Sequence, residues 1–565
     1  MIDKSKQSLI DEINKRVDEK ILEQSNADLL IKLIKNADSL DEAINIAALG
    51  TTYKRTGLHF DKRLEKMSDT IKYFKKNEAL SFHTDDNKPT HKLIIGDNYE
   101  ALQNLLIQYR GKIDVIYIDP PYGKDSMGEF AATNYNNAIT RDNLLSMLYP
   151  RLTLAKQLLS DEGVIFCSID DKNQAYVKCL FDEVFGEGNF VGNIIWQSAT
   201  DNNPRQISTE HEYLICFCRK SESQDKWLIR SEKARLIEEK YNEIKAKKNN
   251  VQEIQKELRC WIKSNEEKLK GVAHYNNVDE KGVYSNSSNS SNTKPGGYTF
   301  DIIHPITKKA CTKPAFGWRW TEETFLNYVK NNDVEWGKDE TTQPHIKKRI
   351  HTVAEQLKSI YYEDGRIATK LLESIFGEKK IFDNPKPINL IKRIFDYTSA
   401  GDSIILDFFA GSGTTGHAVL DLNRSEAKEG DLLNEKTPEG NSTFILCQLN
   451  EKTDTTPNGI AYDVTAKRLK RIMTGECYDG TKDFEWIRKN KPYGGNLDVY
   501  EIDSVSNFEW TEGKTPFDVI DETLYGKEKF ATIKEKIEWV CGNFDKTQKY
   551  VESGGEWLKR IDGEE

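Results

Sequence analysis

A four-residue segment, Asp119-Pro120-Pro121-Tyr122, directly follows an apolar run at residues 113–118. Its residue types suit chemistry on a conjugated amine, such as the exocyclic amino group of adenine. Such an amine is a poor nucleophile because its lone pair is delocalised into the ring. Two hydrogen-bond acceptors that bind its N–H groups favour tetrahedral geometry at the nitrogen. They also stabilise the positive charge that develops there. Asp119 supplies a carboxylate for this purpose, and Pro120 supplies a backbone carbonyl.

The other parts of this segment favour the same chemistry. The two prolines restrict the backbone of the turn, so both acceptors are in place before a substrate arrives. Tyr122 offers a flat face on which a base can stack, an interaction worth about 1–3 kcal/mol. A base must leave a double helix to reach such a site, because pairing and stacking otherwise bury its amino group. A purely structural turn is the alternative, but this tetrapeptide seldom arises by chance at the end of an apolar strand.

A second segment suited to ligand binding follows the apolar run at residues 404–406. A strand, a glycine-rich turn and the start of a helix direct backbone N–H groups and the positive end of the helix dipole towards one edge of a sheet. Gly411 and Gly413 have no side chain, so we expect a cofactor to approach the backbone there. The expected contacts are Asp407, Phe409, Ala410, Gly411, Gly413, Thr414 and Thr415.

A phosphate-binding loop is the main alternative for this segment, because Gly411 and Gly416 have the required spacing. His417 and Ala418 stand where such a loop needs lysine and Ser or Thr. The γ-phosphate clamp and the hydroxyl ligand of Mg²⁺ are therefore missing. An ordinary tight turn is a second alternative, since isolated GxG patterns are common.

In this order, the two segments resemble the motifs of β-class adenine-N6 DNA methyltransferases, in which the catalytic motif precedes the loop that holds S-adenosylmethionine. The chain length and the sequence around both motifs resemble the modification (Mod) subunits of type III restriction–modification systems. The resemblance covers most of the chain. It departs from the family pattern after the first motif, where Gly123-Lys124-Asp125-Ser126 replaces the commoner Asn-Thr-Gly. Supporting similarities lie at residues 148–152, 168–171 and 318–320, and at Gly494-Gly495 with Tyr500.

The resemblance implies roles for further residues. The four residues of the first motif would be catalytic, and the second motif would bind S-adenosylmethionine without any metal. Asp97 and Asn98 lie in a turn similar to the family segment that contacts the cofactor adenine. Lys386 lies in a segment similar to the one that faces the methionine part. Many relatives place Glu where Gln448 stands, and Glu451 follows, so the sequence leaves open which of the two binds the ribose.

The implied function is methyl transfer to N6 of a flipped adenine in double-stranded DNA, by the modification and specificity subunit of a type III system. The resemblance implies a homodimer. It also implies a separate Res helicase–nuclease, because the chain shows no Walker lysine and no clear nuclease motif. Three alternatives stay open: a subunit that mainly delivers such a partner to DNA, a stand-alone regulatory methyltransferase, and an RNA or protein methyltransferase. Cytosine-N4 methylation uses the same chemistry, but relatives that perform it usually have Ser at position 119.

The surrounding pattern predicts an α/β fold. Strands at residues 92–97, 113–118 and 163–170 alternate with helices, and the pattern returns at residues 382–449. We expect one Rossmann-like, doubly wound methyltransferase sheet that is circularly permuted and interrupted by an insertion. The predicted regions are an N-terminal helical region (1–75), a catalytic half (76–196), a target-recognition domain (197–350), an S-adenosylmethionine-binding half (351–476) and a C-terminal dimerisation or partner-binding region (477–565).

The predicted target-recognition domain differs in composition from both halves. Residues 231–273 are rich in Lys and Glu at helical spacing, which predicts a solvated helical hairpin. Residues 286–292 predict a low-complexity loop, and short β segments are expected at 298–303 and 318–320. Trp318 and Trp320 are expected in a local core. Residues 202–206 and 347–349 suit contacts with phosphates or base edges, with solvated loops as the simpler interpretation.

Composition limits the class of protein. A chain of 565 residues is long enough for several domains. The net charge of −10 does not exclude nucleic acid, because binding follows local basic patches. The nine cysteines form no CxxC pair and predict reduced thiols. The sequence shows no signal segment and no apolar stretch of about 18 residues, so we expect a cytoplasmic, nucleoid-associated protein of a prokaryote.

Overall fold

The computed structural model of the protein describes residues 4–18, 22, 24–49, 70–122, 140–198, 206–287, 290–429 and 440–506. The first elements are three helices, α1 (Lys4–Asp18), α2 (Gln24–Asn36) and α3 (Leu40–Leu49). Their apolar residues recur at helical spacing and form a small core that includes the fully buried Ile13 and Ile34. Residues 70–75, expected to belong to this helical region, form a strand instead.

Strands and helices then alternate along the chain. In order they are β1 (Thr70–Lys76), β2 (Phe82–His83), β3 (Thr90–Ile95), α4 (Asn98–Tyr109), β4 (Ile113–Ile118), α5 (Thr140–Leu158), β5 (Leu159–Ile169), α6 (Gln174–Phe185), β6 (Phe190–Gln197) and β7 (His211–Cys218). Strand β4 is buried along almost its whole length. Its near-continuous apolar sequence is typical of a central parallel strand that helices cover on both faces.

An insertion follows, and its chain enters and leaves through a two-stranded antiparallel pair, β8 with β14. Its elements are β8 (Leu228–Arg230), α7 (Glu232–Lys245), α8 (Val251–Ser264), β9 (Asn277–Asp279), β10 (Gly282–Ser285), α9 (Glu322–Lys330), β11 (Val334–Glu335), β12 (His345–Ile346), β13 (Lys348–Arg349) and β14 (Ala354–Gln356). Helices α7 and α8 form the expected hairpin over one apolar core, and a second core surrounds Trp318. The expected β segments at 298–303 and 318–320 form only isolated bridges.

The remaining elements complete the α/β pattern. They are β15 (Ile360–Tyr362), α10 (Arg366–Phe376), α11 (Ile388–Thr398), β16 (Ile404–Asp407), α12 (Thr414–Glu429), β17 (Thr443–Gln448), a π-helical segment (Ala461–Ala466) that continues into α13 (Lys467–Thr474), α14 (Glu485–Lys489) and β18 (Asn496–Ser506). Among the described helices, none is long and apolar enough to cross a membrane.

One large sheet joins the two halves of the α/β pattern. Its strand order is β1-β18-β3-β17-β16-β4-β5-β7-β6-β15, with β2 beside β18. Strands β18, β3, β17, β16, β4 and β5 run parallel. Ile116 and Ile118 of β4 belong to the core on one face, and Val115 and Tyr117 belong to the core on the other. The predicted doubly wound, permuted sheet is therefore confirmed.

Two strands lie in this sheet although the sequence placed them elsewhere. Strand β7 pairs with β5 and β6, yet it was assigned to the target-recognition domain from residue 197. Strand β18 pairs with β1 and β3, yet it was assigned to the C-terminal region. A strand's alternation shows that one face is buried, but it does not show which sheet the strand joins. The expected helical tail at 531–559 lies outside the described residues.

The cysteines of the described residues agree with the expected reduced state. Eight are present there, and each is a free thiol. Five of these eight are buried, among them Cys167 and Cys447 on the central strands. They act as small apolar core residues, as unpaired cysteines commonly do.

The position of β18 inside the sheet makes Leu497 a core residue, since its side chain is fully buried. We predict that Leu497→Ala lowers the free energy of unfolding by about 2–5 kcal/mol, because it removes buried methyl groups and leaves a cavity. Leu228→Ala is the matched control, since Leu228 is 47% exposed. Thermal unfolding of both variants is the measurement. Equal melting temperatures would show that residues 496–506 do not contribute to the core.

Candidate active site

The carboxyl ends of four adjacent parallel strands bring the two motifs together. Leu406 of β16 pairs with Ile116 of β4, so Asp407 and Asp119 end neighbouring strands. On the other side, Gln448 of β17 pairs with Ile95 of β3, and Asp97 follows that strand. The expected catalytic and cofactor residues therefore lie along one edge of the sheet, where open α/β sheets bind their ligands.

Asp119 is held in place through one of its two oxygens. The Tyr122 hydroxyl donates to Oδ1 at 2.5 Å, and the Lys386 ammonium lies 3.3 Å from the same atom. The side chain keeps 26% of its surface exposed. Burial raises the pKa of Asp119, and the charge of Lys386 and the Tyr122 hydrogen bond oppose that rise. Since both contacts use Oδ1, Oδ2 is the atom suited to accept an N–H from a substrate.

Tyr122 is fixed at both ends. Its backbone carbonyl accepts a hydrogen bond from the Asn173 amide at 2.7 Å, and the same amide donates to Asp170 at 2.8 Å. The Lys386 ammonium lies 5.0 Å from the centre of the Tyr122 ring. The expected use of this ring to stack a base stays a prediction. The departure from the family pattern at residues 123–126 lies outside the described residues.

Lys386 lies at the catalytic motif. Its ammonium donates to Glu212 Oε2 at 2.7 Å and to the Tyr122 hydroxyl at 3.0 Å, and its side chain is only 7% exposed. Burial lowers its pKa, but the carboxylates of Asp119 and Glu212 outweigh burial and raise the pKa above its usual value. Lys386 is therefore a buried cation shared by two carboxylates. Its expected contact with the methionine part of the cofactor stays a prediction.

Glu212 belongs to this site and was missed by the sequence reasoning. It lies on β7 opposite Trp196 of β6. The sequence interpretation ended the sheet at residue 196, so a residue of β7 was not expected near Asp119. A charged residue near the start of an otherwise apolar strand, residues 211–218, was the available signal.

Asp407 holds the glycine-rich loop in place from the protein interior. Its Oδ1 accepts from the backbone N–H of Phe409 at 2.9 Å, and its Oδ2 accepts from the Thr415 hydroxyl at 2.5 Å. Burial raises the pKa of Asp407 to about 7, although both hydrogen bonds oppose this rise. Thr415 is fully buried. These two residues therefore shape the loop through its interior.

The two glycines of the loop are required by backbone conformation. Gly411 has φ +51° and Gly413 has φ +77°, a region that residues with a Cβ rarely adopt. A Cβ at Gly413 would lie 3.3 Å from the Thr465 side chain, and one at Gly411 would lie 3.1 Å from the Phe382 ring. Strain and contact with protein atoms therefore already favour glycine at both positions, and the expected close approach of a cofactor stays a prediction.

Gln448 supports the loop. Its Oε1 accepts from the Gly411 backbone N–H at 2.6 Å, and its amide donates to the Leu449 carbonyl at 2.9 Å. Glu451 lies beyond β17 with a half-buried side chain, and its carbonyl accepts from the Ile460 N–H. Gln448 and Glu451 are the two candidate ligands of the cofactor ribose. Of these two, Gln448 already binds the glycine-rich loop through its side chain.

Asp97 and Asn98 link the end of β3 to the second motif. Asp97 caps α4 by accepting from the Tyr99 N–H at 2.7 Å. The Asn98 amide donates to the Phe408 carbonyl at 2.7 Å. Arg151, which is 1% exposed, contacts both oxygens of Asp97 at 3.2 Å. Arg151 is part of the family-like segment at 148–152, so this similarity corresponds to a buried support of the turn.

Arg468 is a second support that sequence reasoning missed. Its guanidinium is fully buried and donates to the Ser412 carbonyl at 3.1 Å, the Ser412 hydroxyl at 3.0 Å and the Thr414 hydroxyl at 3.1 Å. Burial lowers its pKa to about 9. The residue comes after a π-helical segment, and no spacing in the sequence relates it to the loop. Together with Gln448, it fixes the loop from the protein interior.

A family model described as DNA methylase matches residues 113–456, which include both motifs and the insertion. The chain belongs to this DNA methylase family. A second model, described as an uncharacterised conserved protein, matches residues 6–115.

Individual relatives agree with this assignment. The chain is 33% identical to the type III restriction-modification enzyme EcoP15I Mod subunit of Escherichia coli, over 71% of this chain and 66% of that protein. It is 28% identical to the StyLTI Mod subunit of Salmonella typhimurium, over 74% and 60%. It is 30% identical to the type II methyltransferase M.KpnI of Klebsiella pneumoniae, over 70% and 89%. The chain thus spans slightly less than two thirds of the two Mod subunits.

The insertion of this methylase holds the basic residues that were expected to contact DNA. Arg349 is 7% exposed and binds Asp279 and Asp333, each at 2.6 Å. Lys347 donates to Asp279 at 2.8 Å. Both cations therefore pair with acidic residues within the insertion, rather than lying in a solvated loop, and their contact with DNA stays a prediction. Trp318 is fully buried, as expected for a local core residue, and residues 202–205 lie outside the described residues.

The buried guanidinium of Arg468 leads to a prediction for cofactor binding. We expect Arg468→Met to raise the Kd for S-adenosylmethionine about tenfold, because the loop loses charged hydrogen bonds that hold its conformation. Lys467→Met on the same helix is the matched control, since the Lys467 side chain is 42% exposed. Titration calorimetry gives both values. Equal affinities would exclude a role for Arg468 in shaping the loop.

Proposed function

We propose that this DNA methylase transfers a methyl group from S-adenosylmethionine to N6 of an adenine flipped out of double-stranded DNA. We further propose that it is the modification and specificity subunit of a type III restriction–modification system. The main support is the position of Asp119 and the loop after Asp407 at the ends of adjacent parallel strands. A donor on that loop and a base at Asp119 would be neighbours.

The charges at this edge of the sheet fit a cationic cofactor. Asp97, Asp119, Glu212 and Asp407 supply carboxyl groups there, and Lys386 and Arg151 are the basic groups in contact with them. Such an excess of acidic groups suits a sulfonium ion and opposes a polyphosphate. When bound, S-adenosylmethionine supplies an electrophilic methyl group on positively charged sulfur. Gln448 and Glu451 stay the two candidate ligands of the ribose hydroxyls.

The catalytic motif then acts on the amine. Oδ2 of Asp119 and the carbonyl of Pro120 accept hydrogen bonds from the two N–H groups of N6, and these bonds localise the nitrogen lone pair. The nitrogen forms a bond to the methyl carbon, and the electron pair of the broken C–S bond stays on sulfur. The positive charge moves to nitrogen, where the Asp119 carboxylate stabilises it and accepts a proton. Adenine rather than cytosine N4 is proposed because Asp, and not Ser, stands at position 119.

The system-level part of the proposal rests on similarity to the Mod subunits. Relatives named as type III Mod subunits match about 70% of this chain. A homodimer, a Res helicase–nuclease partner and a cytoplasmic location at the nucleoid are proposed on this basis. The similarity to M.KpnI, named as a type II methyltransferase, supports the methyl-transfer part of the proposal.

Asp119 offers the most direct test of the chemistry. We predict that Asp119→Ala lowers kcat at least about 100-fold, because the carboxylate acts mainly in the transition state. Asp119→Asn should be similarly impaired, since it keeps the shape and loses the charge. The exposed Asp86→Asn is the control. Transfer of labelled methyl groups to double-stranded DNA gives kcat, and calorimetry should show preserved cofactor affinity.

Mass spectrometry of the product nucleosides belongs to the same experiment. N6-methyladenine is the expected product. Detection of N4-methylcytosine instead would show that the amino group of cytosine is the methyl acceptor. Near-normal turnover by Asp119→Ala would remove this motif from the catalytic site.

The insertion between β8 and β14 is the proposed target-recognition domain. We predict that grafting residues 228–356 from a related methylase changes the methylated sequence, because base-edge contacts determine which adenine reaches the pocket. The product and the cofactor affinity should stay the same, because both motifs lie outside the graft. Sequencing of modified bases in a host that expresses the chimera is the measurement. A chimera that keeps the original sequence would place recognition elsewhere.

A further inference from the structure

Three charged side chains, one of them Asp119 itself, form a cluster at the catalytic motif. The Lys386 ammonium lies between two carboxylates, 2.7 Å from Glu212 and 3.3 Å from Asp119. The Tyr122 hydroxyl joins the same three groups, 2.5 Å from Asp119, 3.0 Å from the Lys386 ammonium and 3.3 Å from Glu212. Lys386 and Tyr122 each contact both carboxylates and each other, so the four side chains form one connected cluster.

Lys386 alone would oppose the proposed chemistry. Methyl transfer moves positive charge onto the amine nitrogen, and Asp119 stabilises that charge by its own negative charge. The Lys386 ammonium lies 3.3 Å from Asp119 on a side chain that is only 7% exposed, so it offsets part of this negative charge. Glu212 restores the balance, because two carboxylates and one ammonium leave one net negative charge in the pocket.

We propose that Glu212 is a positioning residue for methyl transfer: it binds Lys386, so that Lys386 orients Tyr122 and Asp119 without cancelling the negative charge presented to the amine. This inference rests on the proposed function. It assigns to β7, outside both sequence motifs, a role in the same reaction. Glu212 acts through Lys386 and Tyr122.

The position of Glu212 fits this role. It pairs with Trp196 on β6, and the ring of Trp196 lies 5.5 Å from the Lys386 ammonium. The carboxylate is 27% exposed, whereas Lys386 is 7% exposed. Lys386 is thus enclosed by an aromatic ring and two acidic groups. Truncating Glu212 would leave a buried ammonium with Asp119 as its remaining carboxylate in the cluster.

The acidic limb of the pH–kcat profile reports the ionisation of Asp119, which must be charged to act. Glu212 raises the pKa of Asp119 and Lys386 lowers it, while burial is the largest cause of the overall rise. Removing Glu212 should therefore move the limb to lower pH, and removing Lys386 should move it to higher pH. Among the described residues, the charged and titratable groups that interact with Asp119 are Tyr117, Tyr122, Cys167, Glu212, Lys386 and Asp407.

The test compares Glu212→Gln, Lys386→Met and the double variant with the wild-type chain. Saturating S-adenosylmethionine keeps the pH dependence of cofactor binding out of kcat. We expect Glu212→Gln to lower the plateau kcat about tenfold and to shift its acidic limb down by about 1 pH unit. Lys386→Met should shift the limb upwards. The double variant restores one net negative charge, so it should be faster than Glu212→Gln and return the limb towards the wild-type position.

Two controls separate this effect from a loss of structure. Glu222→Gln removes an exposed carboxylate beyond the other end of β7 and should leave both kcat and the limb unchanged. Glu212→Asp keeps the charge and should keep the wild-type limb. If Glu212→Gln does not fold, the upward shift of the limb in Lys386→Met serves as the test, with calorimetry confirming cofactor binding in each case.

Wild-type kcat and an unmoved limb in Glu212→Gln would overturn the proposal. So would a double variant slower than both single variants, which would indicate that the cluster only stabilises the fold. Failure of the proposed function looks different, because wild-type chain would then transfer no methyl group to DNA, or Asp119→Ala would retain activity.

Discussion

The parallel pairing of β16 with β4 is the interaction on which the site depends. It places the end of the strand that carries Asp407 beside the end of the strand that carries Asp119, although the whole insertion separates them in the sequence. Because the side chains of a strand alternate, a shift of one residue would turn Asp407 or Asp119 towards the opposite face. The extended apolar contacts of both cores, one on each face of the sheet, keep this register.

Buried cations then fix the loops at the strand ends. Arg151 supports the turn after β3, Arg468 supports the glycine-rich loop, and Lys386 joins the two carboxylates near the catalytic motif. A buried charge is costly unless hydrogen bonds and opposite charges surround it. Each of these cations therefore restricts its neighbours to a narrow set of positions. This restriction suits a reaction that requires acceptors, base and methyl donor in fixed geometry.

The sequence was informative where function constrains a contiguous segment. Both motifs, the parallel sheet and the helical hairpin at 231–273 were predicted, because each has its own spacing of apolar residues, glycines or prolines. Glu212 and Arg468 were not predicted, because their roles come from strand order and helix packing between distant segments. The same limit applies to Lys347 and Arg349, because their pairing with acidic residues inside the insertion is not visible in the sequence. A charged side chain in a sequence does not show whether its partner is solvent, DNA or the protein.

The central claim is that Asp119 and the loop after Asp407 form one methyl-transfer site. A crystal structure of the chain with sinefungin, which carries an amine in place of the sulfonium methyl group, tests it most directly. We predict that sinefungin lies against the backbone of residues 410–413, with that amine within about 6 Å of the Asp119 carboxylate, since the reacting atoms must approach to about 3–3.5 Å. Sinefungin bound elsewhere, or with its amine directed away from Asp119, would show that the two motifs do not form one site.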